Sequence, residues 1–215
     1  QVLSSSHSTF QVYFAWMAAS VDGTLEAAMA SSTQTGIIGQ DTASRRVDAD
    51  SAESQLQSIV DAKLPMPEDQ DQVCECVADL LCILRDNLEQ PSLWNVAAFG
   101  GSVNGFGTRG SDIDTVAYQE LSLGKSAADA RTVLRTLQKP LRESGKFNIR
   151  QVVMGARVPI LKLRYKSVRD VDLSVNNTSP LPNTRLLKAY SSLGQRIIDL
   201  GVAVKLWAKE WHLCG

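Results

Sequence analysis

Asp112 and Asp114 stand two positions apart at the head of DIDTVAY (112–118), a run of alternating polarity that predicts a β-strand. Alternation along a strand turns both carboxylates to one face. Side by side they repel, and a cation between them relieves the repulsion. Mg²⁺ suits such a pair, since it uses one or two carboxylates and completes its shell with phosphate oxygens. A third carboxylate on another strand would complete a two-metal site, with ions about 3.5–4 Å apart. One ion would lower the pKa of an attacking hydroxyl, and the other would neutralise charge on a leaving pyrophosphate.

The segment RDVDLSVNN offers two candidates for that third carboxylate, Asp170 and Asp172. They share parity, so periodicity alone does not choose between them. Asp172 lies deeper in the apolar run, between Val171 and Leu173, where an unpaired charge is expensive. It is therefore the preferred ligand, and Asp170 is read as a strand-end residue.

Gly100 and Gly101 end the apolar run WNVAAF, with ten residues between them and Asp112. Two glycines in a tight turn let backbone amides approach a phosphate and allow positive φ. Ser102 adds a hydroxyl at the same turn. Lys205 and Lys209 are four apart on a predicted helix and so share a face. They could hold the outer phosphates of a triphosphate, or they could be a solvated stripe.

The elements that must position these groups are legible in outline. Acidic residues after Pro67 begin a helix. Val73, Val77, Leu80, Leu81 and Leu84 follow at helical spacing, and Pro91 bounds it. Strands are predicted at 94–99, 112–118, 147–153, 158–165 and 170–175, with an amphipathic helix at 127–143. After a turn at Pro180–Pro182, helices at 184–193 and 195–211 close the chain. Three regions result: a Ser/Ala-rich, largely disordered stretch over 1–67, a domain of strands and helices over 68–178, and a truncated helical segment over 179–215. The last two helices carry so much apolar surface that they need a partner to pack on.

Composition narrows the classes. The 215 residues are 44% hydrophobic and 21% charged, as in an ordinary soluble domain. The apolar run at 12–19 is far shorter than the roughly 20 residues a membrane helix needs. Cys74, Cys76, Cys82 and Cys214 do not make paired zinc knuckles and read as reduced thiols, which favours a reducing compartment. The net charge of −1 hides an asymmetry. Residues 41–89 hold twelve acidic and four basic groups, whereas 125–169 hold twelve basic and two acidic ones. The basic half suits a nucleic-acid groove, or else it answers the acidic half.

The blocks FGGSVNGFGTRGSDID, ARVPILKL, VDLSVNN, NTRLLKAY and VKLWAKEW, in that order, resemble the polymerase-β-type nucleotidyltransferase superfamily. More narrowly, they resemble its template-independent RNA nucleotidyltransferases, the poly(A) polymerases and terminal uridylyltransferases. The resemblance covers about residues 70–212. It implies an α+β fold, a mixed sheet with flanking helices, followed by an incomplete helical domain. It implies Asp112, Asp114 and Asp172 as catalytic metal ligands for Mg²⁺ or Mn²⁺. Gly100, Gly101, Ser102, Ser111, Asn177, Thr184, Lys205 and Lys209 would bind nucleotide, with Asn177 and Thr184 near the ribose and base. Many members have Ser where this chain has Gly101, so one phosphate contact would be lost or passed to Ser102. The implied activity is transfer of a nucleoside monophosphate from ATP or UTP to an RNA 3′-hydroxyl, in an intracellular and rather cytoplasmic setting than a nuclear or mitochondrial one. The chain ends before the family's base-stacking tyrosine, so the fragment is expected to be incomplete for activity. The alternatives are a non-catalytic nucleotide- or RNA-binding scaffold and an enzyme with a non-RNA acceptor.

Overall fold

The computed structural model describes residues 54–120 and 126–213. Most of the expected disordered stretch, and Cys214, lie outside them. Residues 54–61 are helical, and from residue 62 onward the described residues belong to one compact unit.

That unit opens with helix α1, Pro67–Asn87. Pro67 sits in the first turn, where its missing N–H costs nothing. Asp69 accepts the Met66 N–H at 2.8 Å, satisfying a donor that the helix leaves orphaned. Val73, Cys76, Val77, Leu80 and Leu84 form the buried face. A short 3₁₀ turn at Pro91–Leu93 leads into β1, Trp94–Phe99. A four-residue helix α2, Gly101–Asn104, follows, and then β2, Ile113–Gln119. Helix α3 (Ala130–Glu143) precedes three strands, β3 (Phe147–Val153), β4 (Ile160–Tyr165) and β5 (Arg169–Val175). Helices α4, Pro180–Ser191, and α5, Gln195–Glu210, complete the unit.

The five strands form one mixed sheet in the order β1-β2-β5-β4-β3. Only the β2/β5 pair is parallel. That pairing joins strands separated by two intervening strands in the chain, and it brings the two Asp-bearing segments side by side. Helices α1 and α3 pack on the sheet and on each other. Within the sheet, Ile113, Leu161, Leu163, Val171 and Leu173 are all fully buried. Each such side chain contributes on the order of 1.5–3 kcal/mol through burial.

Several boundaries differ from the sequence reading, most by one or two residues, and three have a bearing on the site. Helix α3 starts at Ala130 rather than 127, because Asp129 caps it by accepting the Thr132 N–H at 2.8 Å. Strand β4 starts at Ile160, two residues after the expected 158. Helix α4 starts at Pro180 rather than Thr184. Pro180 and Pro182 sit inside its first turn, where proline is tolerated, and do not mark a preceding loop. Cys76 is buried and its thiol is pushed up to about 12, first by burial and then by Asp79, so it packs as an apolar side chain. No helix among the described residues is long and apolar enough to cross a membrane. Leu200, Val204, Trp207 and Trp211 leave an exposed apolar face on and just beyond α5.

Candidate active site

The site is built where β1 ends and β2 and β5 run side by side. In the parallel register Asp114 faces Asp172 directly, with Ile113 opposite Val171. Asp112 precedes β2 by one residue and shares Asp114's parity. Burial raises the Asp114 pKa most, followed by the charges of Asp172 and Asp112. Asp170 is not among the leading causes of that shift. It forms an ion pair with Arg164 at 2.6 Å. The register therefore separates two aspartates that periodicity treats alike.

Among the described residues, no three acidic, His or Cys groups close to metal-ligand spacing. Instead Asp172 Oδ2 meets the Lys162 ammonium at 3.1 Å, across the β4/β5 pair. This contact raises the Lys162 pKa, chiefly through the hydrogen bond to Asp172. Lys162 lies in the ARVPILKL block, yet its contact depends on cross-strand register that composition does not carry. The donor set still suits a hard divalent cation: oxygen ligands only, and a half-buried carboxylate destabilised by two like neighbours.

That electrostatic strain has a measurable consequence. A carboxyl whose folded-state pKa is raised binds more protons folded than unfolded, so stability falls as pH rises through the interval between the two values. The penalty is complete once the pH lies above the raised folded-state value. Asp114→Asn should therefore raise the Tm of the metal-free protein by about 2–5 °C. The gain should shrink or reverse when Mg²⁺ is added, because only the wild type is then stabilised by binding. Thermal melts with EDTA and with Mg²⁺ measure both effects.

The glycine turn is fitted against this carboxylate. Gly100 has φ +72°, and a Cβ there would lie 2.7 Å from Asp114 Oδ2. Its N–H donates to Thr184 Oγ1 at 3.0 Å, and Thr184 in turn donates to the Pro180 carbonyl at 2.9 Å. Thr184 thus ties α4 to the turn. At Gly101 a Cβ would lie 3.0 Å from Lys205 Nζ. Lys205 donates to the Phe106 carbonyl at 3.3 Å and brings its ammonium to the turn. Ser102 donates to the Phe99 carbonyl at 3.3 Å. Ser111 shares a 2.8 Å hydroxyl contact with Thr108. Asn177 accepts from Ser179 at 3.0 Å. Lys209, one turn beyond Lys205, is exposed and has no ion-pair partner among the described residues.

A cavity of about 390 Å³ opens beside this turn, lined by Gly101, Asn104, Phe106, Leu187, Gly201 and Lys205. Gly201 is the door-jamb of that cavity, for a Cβ on it would lie 2.4 Å from the Phe106 ring. Asn176, unremarked in the sequence, braces the far end of β5. It donates to the Ala128 carbonyl at 2.9 Å and accepts the Gln119 N–H at 3.3 Å.

The basic stretch divides into more than one group, for Lys139, Lys162 and Arg164 pair with Glu143, Asp172 and Asp170. Lys146, Lys166 and Arg169 pair with Asp79, Glu75 and Asp69 of α1, answering the acidic half of the chain. Arg131, Arg135, Arg142, Arg150 and Arg157 are exposed and form no ion pair among the described residues.

Residues 53–192 match the family model of the central palm domain of mitochondrial-like poly(A) RNA polymerase. The chain is 33% identical over 178 residues to the poly(A) RNA polymerase GLD2 of Xenopus tropicalis, covering 74% of this chain and 33% of that protein. It is 35% identical over 116 residues to human terminal uridylyltransferase 7, covering 53% of this chain and 8% of that protein. A solved structure of a GLD-2/RNP-8 complex superposes with a TM-score of 0.65 at 25% identity, covering 74% of this chain and 49% of that one. The chain spans about a third of the length of the GLD2 polymerases it matches.

Proposed function

The chain belongs to the family of mitochondrial-like poly(A) RNA polymerase palm domains, and from that premise we propose that it is the catalytic part of an enzyme adding nucleotides to RNA 3′ ends. The observation that carries this reading is the facing pair Asp114 and Asp172, with Gly100 packed against Asp114 Oδ2. In the reaction the primer's 3′-oxygen forms a bond to the α-phosphorus of ATP or UTP. The bond from that phosphorus to the β-phosphate bridging oxygen breaks, and pyrophosphate leaves. Asp112, Asp114 and Asp172 would hold Mg²⁺ or Mn²⁺, which would supply charge neutralisation at the phosphates and a more acidic hydroxyl. Asp172 is the carboxylate set to draw the hydroxyl proton away.

The remaining residues bind and orient. The Gly100–Gly101 turn lets backbone amides reach the phosphates, with Ser102 and Ser111 hydroxyls nearby. Lys205 faces that turn at close range and Lys209 extends the same helix face outward. Asn177 and Thr184 lie on the side where ribose and base would rest. Lys205→Ala should raise the nucleotide KM about tenfold, with a smaller change in kcat, because it removes a charge-assisted contact made before the transition state. Steady-state kinetics with ATP and UTP separate the two parameters.

The exposed arginines at 131, 135, 142, 150 and 157 are the proposed guide for single-stranded RNA. The expected salt dependence is a slope of about −2 in log affinity against log salt, if three of them contact phosphate. Fluorescence anisotropy with an unstructured RNA measures it, and a flat response rules out that guide. For the activity itself, the test is extension of an RNA primer by the full-length protein with labelled ATP or UTP. Extension with either supports the reading, and none with either overturns it. An intracellular setting, cytoplasmic rather than nuclear or mitochondrial, is part of the same proposal.

A further inference from the structure

Asp69 and Arg169 stand a hundred residues apart in the chain, yet they form an ion pair whose side chains are only 15% and 5% exposed. Neither partner is spent on the other alone. Asp69 Oδ1 also accepts the Gly110 N–H at 3.3 Å, and its Oδ2 accepts Met66 N–H at the start of α1. The second guanidinium nitrogen of Arg169 donates to the Ser111 carbonyl at 2.6 Å. Gly110 and Ser111 are the last two residues before Asp112. Arg169 opens β5, three residues ahead of Asp172.

The geometry has a specific meaning for the sheet. The β2/β5 ladder begins at Ile113 opposite Val171. Asp112 lies just outside it, where no backbone ladder fixes its position. The Arg169 contact to Ser111 continues the alignment past the end of the ladder with a side chain in place of a strand bond. Burial favours a neutral Asp69, yet the Met66 and Gly110 N–H groups and the guanidinium outweigh it and hold the carboxyl below its ordinary range. Arg169 Nε is buried without a partner, a cost that packing alone would not select.

We propose that Asp69 and Arg169 are positioning residues for nucleotidyl transfer, holding the 110–111 backbone so that Asp112 stands in line with Asp114 and Asp172. The inference rests on the catalytic reading above. It assigns a task to two residues outside the carboxylate set, acting through the loop and touching neither nucleotide nor RNA.

The test uses the full-length protein and three variants: Asp69→Asn, Arg169→Lys and the apolar pair Asp69→Leu/Arg169→Met. Replacing both members of a buried ion pair by apolar groups often preserves stability, whereas removing one strands the other charge. Three quantities are read: Tm, kcat against nucleotide KM, and Mn²⁺ affinity without nucleotide by electron paramagnetic resonance. Residues behind a metal ligand typically change affinity or activity about 10–100-fold. The expected result is a kcat loss of that size with KM within about twofold, and weakened Mn²⁺ binding. Both defects should persist in the apolar double variant even where its Tm returns to the wild-type value. Recovery of kcat and Mn²⁺ affinity together with Tm would overturn the proposal, as would unchanged values in the single variants. Unfolding of all three would assign the pair to folding and overturn it too. A wild type that transfers no nucleotide but shows the Mn²⁺ pattern would instead count against the catalytic reading alone.

Discussion

Asp172→Asn should lower nucleotide transfer at least about a thousandfold, while Asp170→Asn stays within about threefold of wild type. A thousandfold loss corresponds to about 4 kcal/mol of transition-state stabilisation. The asymmetry follows from register. Asp172 lies opposite Asp114 on the parallel neighbour, and its charge is among those that raise the Asp114 pKa. Asp170 is two residues nearer the start of β5 and pairs with Arg164 in a partly exposed ion pair. Such pairs are worth about 0–1 kcal/mol, so its loss should scarcely disturb the fold. Asparagine keeps the shape of aspartate and removes only its charge and basicity. Primer extension by each variant, with circular dichroism to show that both are folded, checks the prediction. Equal losses in the two would mean that the ladder does not select the catalytic carboxylate.

Gly100→Ala should lower kcat by about 10²–10³-fold, far beyond what its effect on stability explains. Two costs act at this position. The first is backbone strain, because φ +72° with ψ −155° is a conformation essentially confined to glycine, where alanine costs about 1–3 kcal/mol. The second is steric, because the new Cβ would lie 2.7 Å from Asp114 Oδ2. One of them must shift, and either shift moves a catalytic carboxylate or the phosphate-facing turn by a distance that matters to reacting atoms. Gly145→Ala isolates the first cost. Gly145 has φ +69°, and its Cβ would meet nothing within 4 Å, at the turn between α3 and β3. Both variants should lose stability in urea melts, Gly100→Ala at least as much as Gly145→Ala, but only Gly100→Ala should lose activity. Parallel losses of activity in the two would reduce the effect to strain.

Local chemistry in this chain was readable wherever it depended on spacing along one element. The strand parity of Asp112 and Asp114, the glycine turn and the shared face of Lys205 and Lys209 all belong to that class. The choice between Asp170 and Asp172 was argued from burial, but only the parallel pairing of strands more than fifty residues apart supplies a geometric reason. Lys162 shows the same limit. It reads as one more cation in a basic stretch, and its contact with Asp172 exists only because β4 lies beside β5. Helix rules place Asp69 at the start of α1, where it stands. Its pairing with Arg169 could not be read from helix rules, since it joins two ends of the domain. Pro180 and Pro182 misled in the opposite way. Proline marks a turn and a first helical turn with the same residue, and the structure uses it for the second.

Lys162 and the three aspartates together describe a site whose negative charge is only partly answered within the protein itself. That arrangement should cost stability without a cation, and a bound cation should restore it. It is the expected signature of a centre organised for a charged transition state rather than for the resting fold.

The most direct measurement counts pyrophosphate against nucleotides added to an RNA primer by the full-length protein, for wild type and Asp114→Ala, with ATP and with UTP. The account predicts one pyrophosphate per nucleotide added for the wild type with at least one of the two. It predicts none with a primer ending in a 3′-deoxyribose, and none above background for Asp114→Ala. Pyrophosphate release or primer extension that persists in Asp114→Ala would contradict it.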